Sequence, residues 1–167
     1  VGEQGKIYLH NNQAYMPYVG KELKARLAGG RLGNVIRHDR EVTDLDFADS
    51  SLDMIYFVMG YHDMYHESDN WRIDPRDFLS QLYKALKPGG RLLVIDHAAP
   101  LGSKIRHAQE LHRIDEDYVK AELIARGFRF LKASELLRNP DDNRLISPFT
   151  PAIRRQTDRF VLLFAKP

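Results

Sequence analysis

Cysteine is absent from the sequence, which removes disulfides, thiolate metal ligands and cysteine nucleophiles from consideration. No apolar run approaches the ~18 residues that a membrane-spanning helix requires, so no membrane partner is expected. No leader pattern is visible in the first residues, but a chain that begins in mid-fold says nothing about its precursor. Charge of one sign is also scarce. The net charge is only +2, both signs are interspersed, and Arg154-Arg155 is the longest basic block. That argues against a nucleic-acid groove and against a disordered, self-repelling chain. Low-complexity stretches, internal repeats and Ser/Gly linkers are missing too. The expectation is one domain spanning residues 1–167.

With 43% hydrophobic residues, the 167-residue chain can bury a sizeable core. Its apolar residues follow two alternating rhythms. Lys6-Ile7-Tyr8-Leu9-His10 reads as a strand that stops at the turn-forming pair Asn11-Asn12. Val19, Leu23 and Leu27 recur at helical spacing before the stop signal Gly29-Gly30. Asn34 to His38 is a second strand, and a polar loop runs from Asp39 to Ser51. Met54 to Met59 is continuously apolar, the pattern of a strand covered on both faces of a parallel sheet. Asp74-Pro75 opens a helix whose inner stripe is Phe78, Leu79, Leu82, Ala85 and Leu86. Lys87-Pro88-Gly89-Gly90 stops it, and Arg91 to Asp96 is the next strand. Asp115 caps a helix bearing Val119, Leu123 and Ile124, closed by Gly127. Phe128–Leu131 and Arg159–Phe164 are the last two strands; no helix separates them, so they are free to run antiparallel. Strands alternating with helices imply crossover units and a mainly parallel sheet.

Two phrases narrow the fold. Asp46-Phe47-Ala48-Asp49-Ser50-Ser51-Leu52-Asp53-Met54-Ile55 resembles the loop into the fourth strand of class I S-adenosylmethionine-dependent methyltransferases. Ala85-Leu86-Lys87-Pro88-Gly89-Gly90-Arg91-Leu92-Leu93-Val94 resembles that fold's turn into its fifth strand. Tyr61-His62-Asp63, Asp96-His97-Ala98, Leu111 to Asp115, Leu136 to Pro140 and Thr157 to Val161 extend the likeness to a family of predicted bacterial methyltransferases. The resemblance implies a Rossmann-like α/β sheet, mostly parallel with an antiparallel terminal hairpin, and S-adenosylmethionine as cofactor. One departure stands out. The glycine-rich loop after the first strand of such folds has no counterpart, since Gly2 and Gly5 stand directly before what corresponds to the second strand. The chain is therefore expected to be an N-terminally truncated copy that needs the missing segment for full cofactor binding. Two sheet edges would be left open, and a homodimer could form through them.

In open α/β sheets ligands bind beyond the carboxyl ends of the strands. By the resemblance, Asn11 and Asn12 lie where the cofactor ribose is held, although a turn-forming role explains the pair as well. Asp39 and Glu41 are alternatives for the adenine amino group, with a solvated loop acid as the bland reading. Gly60 permits close backbone approach after the fourth strand. The adjacent Tyr61, His62 and Asp63 are the catalytic candidates. His62 is the first choice for general base, because imidazole titrates near neutrality, and Asp63 either orients it or holds the substrate. Three polar-tipped residues at a strand end need partners, which weighs against simple packing. Asp96 and His97 follow the fifth strand as candidate substrate contacts, as do His112 and Arg113 ahead of the Asp115 cap; Arg113 suits a carboxylate or phosphate.

The function expected from the resemblance is methyl transfer to a small molecule, with a protein acceptor second, in the cytosol; where the missing segment is required, the truncated chain is expected to be inactive as it stands. Two rivals stand beside it. One is a non-catalytic module that exchanges strands as a dimerising scaffold. The other is a metal-dependent enzyme, because His62, Asp63 and His66 lie close in sequence and Asp96 and His97 could join them. That spacing matches no established metal motif, and no ligand set is assigned from it.

Overall fold

The computed structural model describes residues 1–167, which divide into two compact units, Val1–Asp46 and Phe47–Pro167. In the first unit, strand β1 (Ile7–Asn11) and strand β2 (Val35–Asp39) pair in parallel, with Ile7 opposite Val35 and Asn11 opposite Asp39. Helix α1 (Met16–Leu27) makes the crossover. Asn12 caps the preceding turn, its side chain accepting the Tyr15 N–H at 3.1 Å. The helix ends where Gly29 and Gly30 take left-handed backbone, φ 69° and 66°. Of the stripe read from the sequence, Leu23 is buried.

The second unit carries a four-stranded sheet. Strand β3 (Leu52–Val58) leads to helix α2 (Pro75–Ala85), which returns to strand β4 (Leu86–His97). Two further helices, α3 (Ala108–Leu111) and α4 (Glu116–Ala125), precede strands β5 (Arg129–Ser134) and β6 (Arg159–Ala165). The strand order is β3-β4-β6-β5; β3 and β4 are parallel, and β6 runs antiparallel to both its neighbours. Helical crossovers give parallel pairs and the helix-free 135–158 connection gives the antiparallel hairpin, the class expected from the sequence.

The core lies on one face of this sheet. Leu92, Val94 and Asp96 of β4 and Phe160, Leu162 and Phe164 of β6 are all fully buried, at the period of two that a strand imposes. Helices α2 and α4 add Leu79, Leu82, Val119 and Leu123. Each such side chain contributes roughly 1.5–3 kcal/mol on burial. Asp74 starts α2 as expected, accepting the N–H groups of Arg76 and Asp77 at 2.8 and 3.3 Å. Asp115 does the same for α4 through the Asp117 N–H at 3.0 Å.

Two local readings change. The strand expected from Arg91 begins at Leu86: Leu52 pairs with Leu86 and Met54 with Arg91, so the Pro-Gly-Gly segment is a bulge inside β4. The bulge is tied down because the Gly89 N–H donates to the Lys166 carbonyl, and the Lys166 N–H to the Gly90 carbonyl, both at 2.9 Å. Strand β3, read as covered on both faces, has Tyr56 66% and Val58 49% exposed. It pairs with β4 alone, so one edge and much of one face lack a neighbour.

Candidate functional site

The four-stranded sheet brings the carboxyl ends of β3 and β4 side by side, Val58 opposite Ile95. Beyond β3 the chain turns sharply. Met59 adopts φ 54°, and Gly60 follows where a Cβ would stand 3.1 Å from the Phe57 ring. A 3-10 turn over His62–Tyr65 then places His62, Asp63 and Met64 inside. Beyond β4 the counterpart is Asp96, which has no exposed surface.

Asp96 is the organising anion. One carboxylate oxygen lies 2.7 Å from His62 Nδ1, and the other accepts the His62 backbone N–H at 2.9 Å. The first oxygen also accepts the His97 N–H at 2.7 Å. His62 Nε2 faces an Asp63 oxygen at 3.1 Å, and the same oxygen lies 3.5 Å from His112 Nδ1. The side chains thus form a chain Asp96–His62–Asp63–His112 running outward, from 0% exposure at Asp96 through 5% and 12% to 24% at His112. Burial by itself would lower the His62 pKa; the Asp96 charge and the hydrogen bonds to both carboxylates outweigh it and hold the ring at about 10. Burial would raise Asp63, but its bonds to His112 and His62 keep it well below the usual carboxylate range. At neutral pH this is a cation between two anions. Both ring nitrogens of His62 already face carboxylates, so no lone pair points to an acceptor as the general-base assignment requires; Asp63 and His112 stand nearer the opening.

His112 terminates α3 in left-handed backbone, φ 50° and ψ 47°, a costly conformation for a residue with a Cβ. Its ring stacks on His66 at 4.8 Å and meets Phe149 edge-on at 5.0 Å. His66 is engaged by its neighbour, its Nδ1 lying 3.2 Å from the Gln109 carbonyl oxygen. The group that converges is therefore His62, Asp63 and His112, whose ligand-type atoms lie within 4.8 Å of one another. His97 is turned to the Thr157 hydroxyl at 2.8 Å, and burial lowers its pKa to about 4, leaving it neutral.

Two expected site residues are engaged elsewhere. Tyr61 is fully buried and donates its hydroxyl hydrogen to Glu122 at 2.7 Å. It anchors the turn on α4 instead of facing a reactant. Arg113 is also fully buried: Nε donates to the Ile146 carbonyl at 2.8 Å, Nη1 to the Ala98 carbonyl at 2.9 Å, and Nη2 meets Asp142 at 2.9 Å. Its fork is filled by the protein's own groups and does not present itself to a substrate.

Other contributors were invisible to motif reading. Tyr65 donates to Glu122 at 2.5 Å and receives a bond from Tyr118 at 3.1 Å, so two tyrosines flanking His62-Asp63 converge on one carboxylate. Trp71 Nε1 donates to the Asp63 carbonyl at 2.7 Å. The available signal was Tyr118 and Glu122 at i, i+4, neighbours on one face of α4.

In the first unit, Asn11 and Asp39 end their strands in register, an amide beside a carboxylate. That donor set fits ribose hydroxyls and an adenine amine. Asp39 is ion-paired with Arg37, Glu41 accepts the Gln13 N–H at 3.2 Å, and the Asn12 side chain is spent on its cap. An open cleft of about 730 Å³ lined by residues including Gly2, Gly5, Asn34 and Ile36 lies at the amino ends of these strands, away from Asn11 and Asp39. In the second unit Gly60 is the corresponding strand-end residue. No helix is long and apolar enough to cross a membrane.

Comparison with known proteins agrees with this architecture. Residues 15–94 match the model of a methyltransferase domain family, Methyltransf_11. The chain is 28% identical over 160 residues to the ubiquinone/menaquinone biosynthesis C-methyltransferase UbiE of Pseudoalteromonas translucida, an alignment covering 94% of this chain and 59% of that protein. An S-adenosylmethionine-dependent methyltransferase from Aquifex aeolicus superposes with a TM-score of 0.66 at 20% identity, over 100% of this chain and 72% of that one. The [4+2]-cyclase SpnF superposes with a TM-score of 0.58 at 14% identity, over 96% and 66%, so the fold alone does not dictate the reaction. Taken with the sheet order, the helical crossovers and the antiparallel terminal hairpin, these likenesses show the fold of S-adenosylmethionine-dependent methyltransferases, with the methyltransferase-domain match lying on residues 15–94.

Proposed function

We propose that residues 1–167 act as a single methyltransferase-like domain that supports S-adenosylmethionine-dependent C-methylation of a small molecule, an acceptor of the quinone-precursor type named for the UbiE relatives. The observation that carries the reading is the buried Asp96–His62–Asp63–His112 chain at the carboxyl ends of two adjacent parallel strands, where ligands of open α/β sheets bind. Asn11 and Asp39 are assigned to the ribose and adenine, with Asn12 and Glu41 positioning the backbone around them. Gly60 is the close-approach point.

The cofactor brings a methyl group already attached to an excellent leaving group. The protein's work is then alignment and proton removal; alignment alone can supply on the order of 7–11 kcal/mol. A ring carbon attacks only when electron-rich, and withdrawing the proton from a neighbouring hydroxyl makes it so. Asp63 and His112 are the pair placed for that step, the imidazole taking the proton and the carboxylate orienting it through Nδ1. His112 and His62 hold Asp63 as an anion, and Asp96 fixes the direction of the His62 ring. Asp96 and His97 shape the floor of the acceptor side.

The test supplies methyl-labelled S-adenosylmethionine and a panel of hydroxylated aromatic acceptors. Label should appear on a ring carbon. Asp63→Asn should lower turnover about 10²–10⁴-fold while cofactor affinity measured by calorimetry stays unchanged. Equal loss of both would remove the proton-transfer role, and label on oxygen would remove C-methylation.

A further inference from the structure

We propose that His62, Asp63 and His112 also form a binding site for one divalent transition-metal ion. His62 Nε2 to Asp63 Oδ1 is 3.1 Å, and Asp63 Oδ1 to His112 Nδ1 is 3.5 Å. Donors on one ion with bonds of about 2.0–2.2 Å are separated by such distances, so Asp63 already stands at ligand spacing from both imidazoles, and the ligand atoms of all three side chains lie within 4.8 Å of one another. Behind them, Asp96 grips His62 through Nδ1 and leaves Nε2 directed at the site, where the ion takes the place of the proton that Nε2 shares with Asp63 and that proton is released to solvent. This is the carboxylate–histidine support that fixes a metal-binding tautomer. From outside, His66 and Phe149 brace the ring of His112, and its left-handed backbone aims that ring inward.

Charge points the same way. The ion-pair partners of Asp63 and Asp96 are histidines; neither carboxylate is paired with Lys or Arg. Two nitrogens and one oxygen suit Zn²⁺ or Co²⁺ rather than Mg²⁺ or Ca²⁺, which prefer oxygen shells. Three protein ligands leave a position open, the pattern of a catalytic and not a structural ion. The site goes beyond the methyl-transfer reading and stands independently of it, because no cofactor or acceptor is needed to observe it.

The experiment strips the 167-residue chain with chelator and titrates it with Zn²⁺ alone by calorimetry, using the visible bands of Co²⁺ as a second readout. One ion per chain is expected, with no heat from Mg²⁺ at the same concentration. Asp96→Asn should weaken binding by about 10–100-fold through loss of His62 support. His112→Ala and Asp63→Ala should abolish the stoichiometric event while keeping the parent's circular dichroism; if one of them does not fold, the other carries the test. No stoichiometric Zn²⁺ binding by the parent chain, or undiminished binding by a folded ligand variant, overturns the proposal.

Discussion

At the scale of single residues, burial separates two kinds of charge in the second unit. The Asp96–His62–Asp63–His112 chain grades outward to a partly open end, whereas the Arg113–Asp142 pair is sealed, with side chains 0% and 1% exposed. Asp142 additionally accepts the N–H groups of Arg144 at 3.0 Å and Asp158 at 2.7 Å, so this pair stitches the helix-free 135–158 segment to the end of β4. Removing one partner of a buried pair strands the other charge. Arg113→Ala is therefore expected to cost about 3–5 kcal/mol in urea denaturation. An undiminished denaturation midpoint would mean that the guanidinium is available for other work, as the sequence suggested. Nothing in the local sequence announces the difference: Arg113 stands beside His112, and only the path of residues 142–146 decides that one side chain turns inward.

At the scale of elements, the legible features were those written in backbone chemistry. Asp74-Pro75, Asp115, Gly29-Gly30 and the apolar stripe of α2 mark boundaries because caps, left-handed residues and period-3.6 burial act within a few residues. The Lys87-Pro88-Gly89-Gly90 segment was legible as a break but not as a bulge inside a strand, since bulging depends on Lys166 reaching across from the end of β6. A Cβ at Gly90 would lie 2.8 Å from the Lys87 carbonyl oxygen and 3.1 Å from a Leu86 methyl. Gly90→Ala should accordingly lower stability by about 1–3 kcal/mol. Gly33→Ala, whose nearest neighbour is the Gly30 carbonyl at 3.8 Å, should be close to neutral in the same thermal-melt comparison. Equal effects at the two sites would show that glycine flexibility, and not contact with backbone, sets the cost.

Across the whole molecule, the buried side chains are unevenly shared. Leu23 and Leu45 are the buried hydrophobic residues of Val1–Asp46, whereas those of Phe47–Pro167 extend from Tyr61 to Ala165. Strands β4 and β6 each have a neighbour on both sides, while β1 and β2 have only each other. Amide exchange should therefore be slowest at Leu92–Ile95 and Val161–Phe164 and orders of magnitude faster at Ile7–Asn11 and Val35–Asp39. Matching protection in the two sets would mean that both units open as one cooperative body. Sequence alone determined the fold class, the positions of nearly all helices and strands, and the strand ends at which chemistry should be sought, because apolar period, capping and turn residues are local properties. It also supplied Asn11, Asp39, Gly60, His62, Asp63, Asp96 and His112 as strand-end or loop candidates. The tertiary structure alone decided their company: that Asp96 and Asp63 take both nitrogens of His62, that His112 in place of His66 completes the cluster, and that Tyr61 and Arg113 turn inward. Those outcomes depend on contacts between residues up to 61 positions apart, such as Tyr61 with Glu122, and on which groups exclude water, neither of which any window of neighbouring residues encodes.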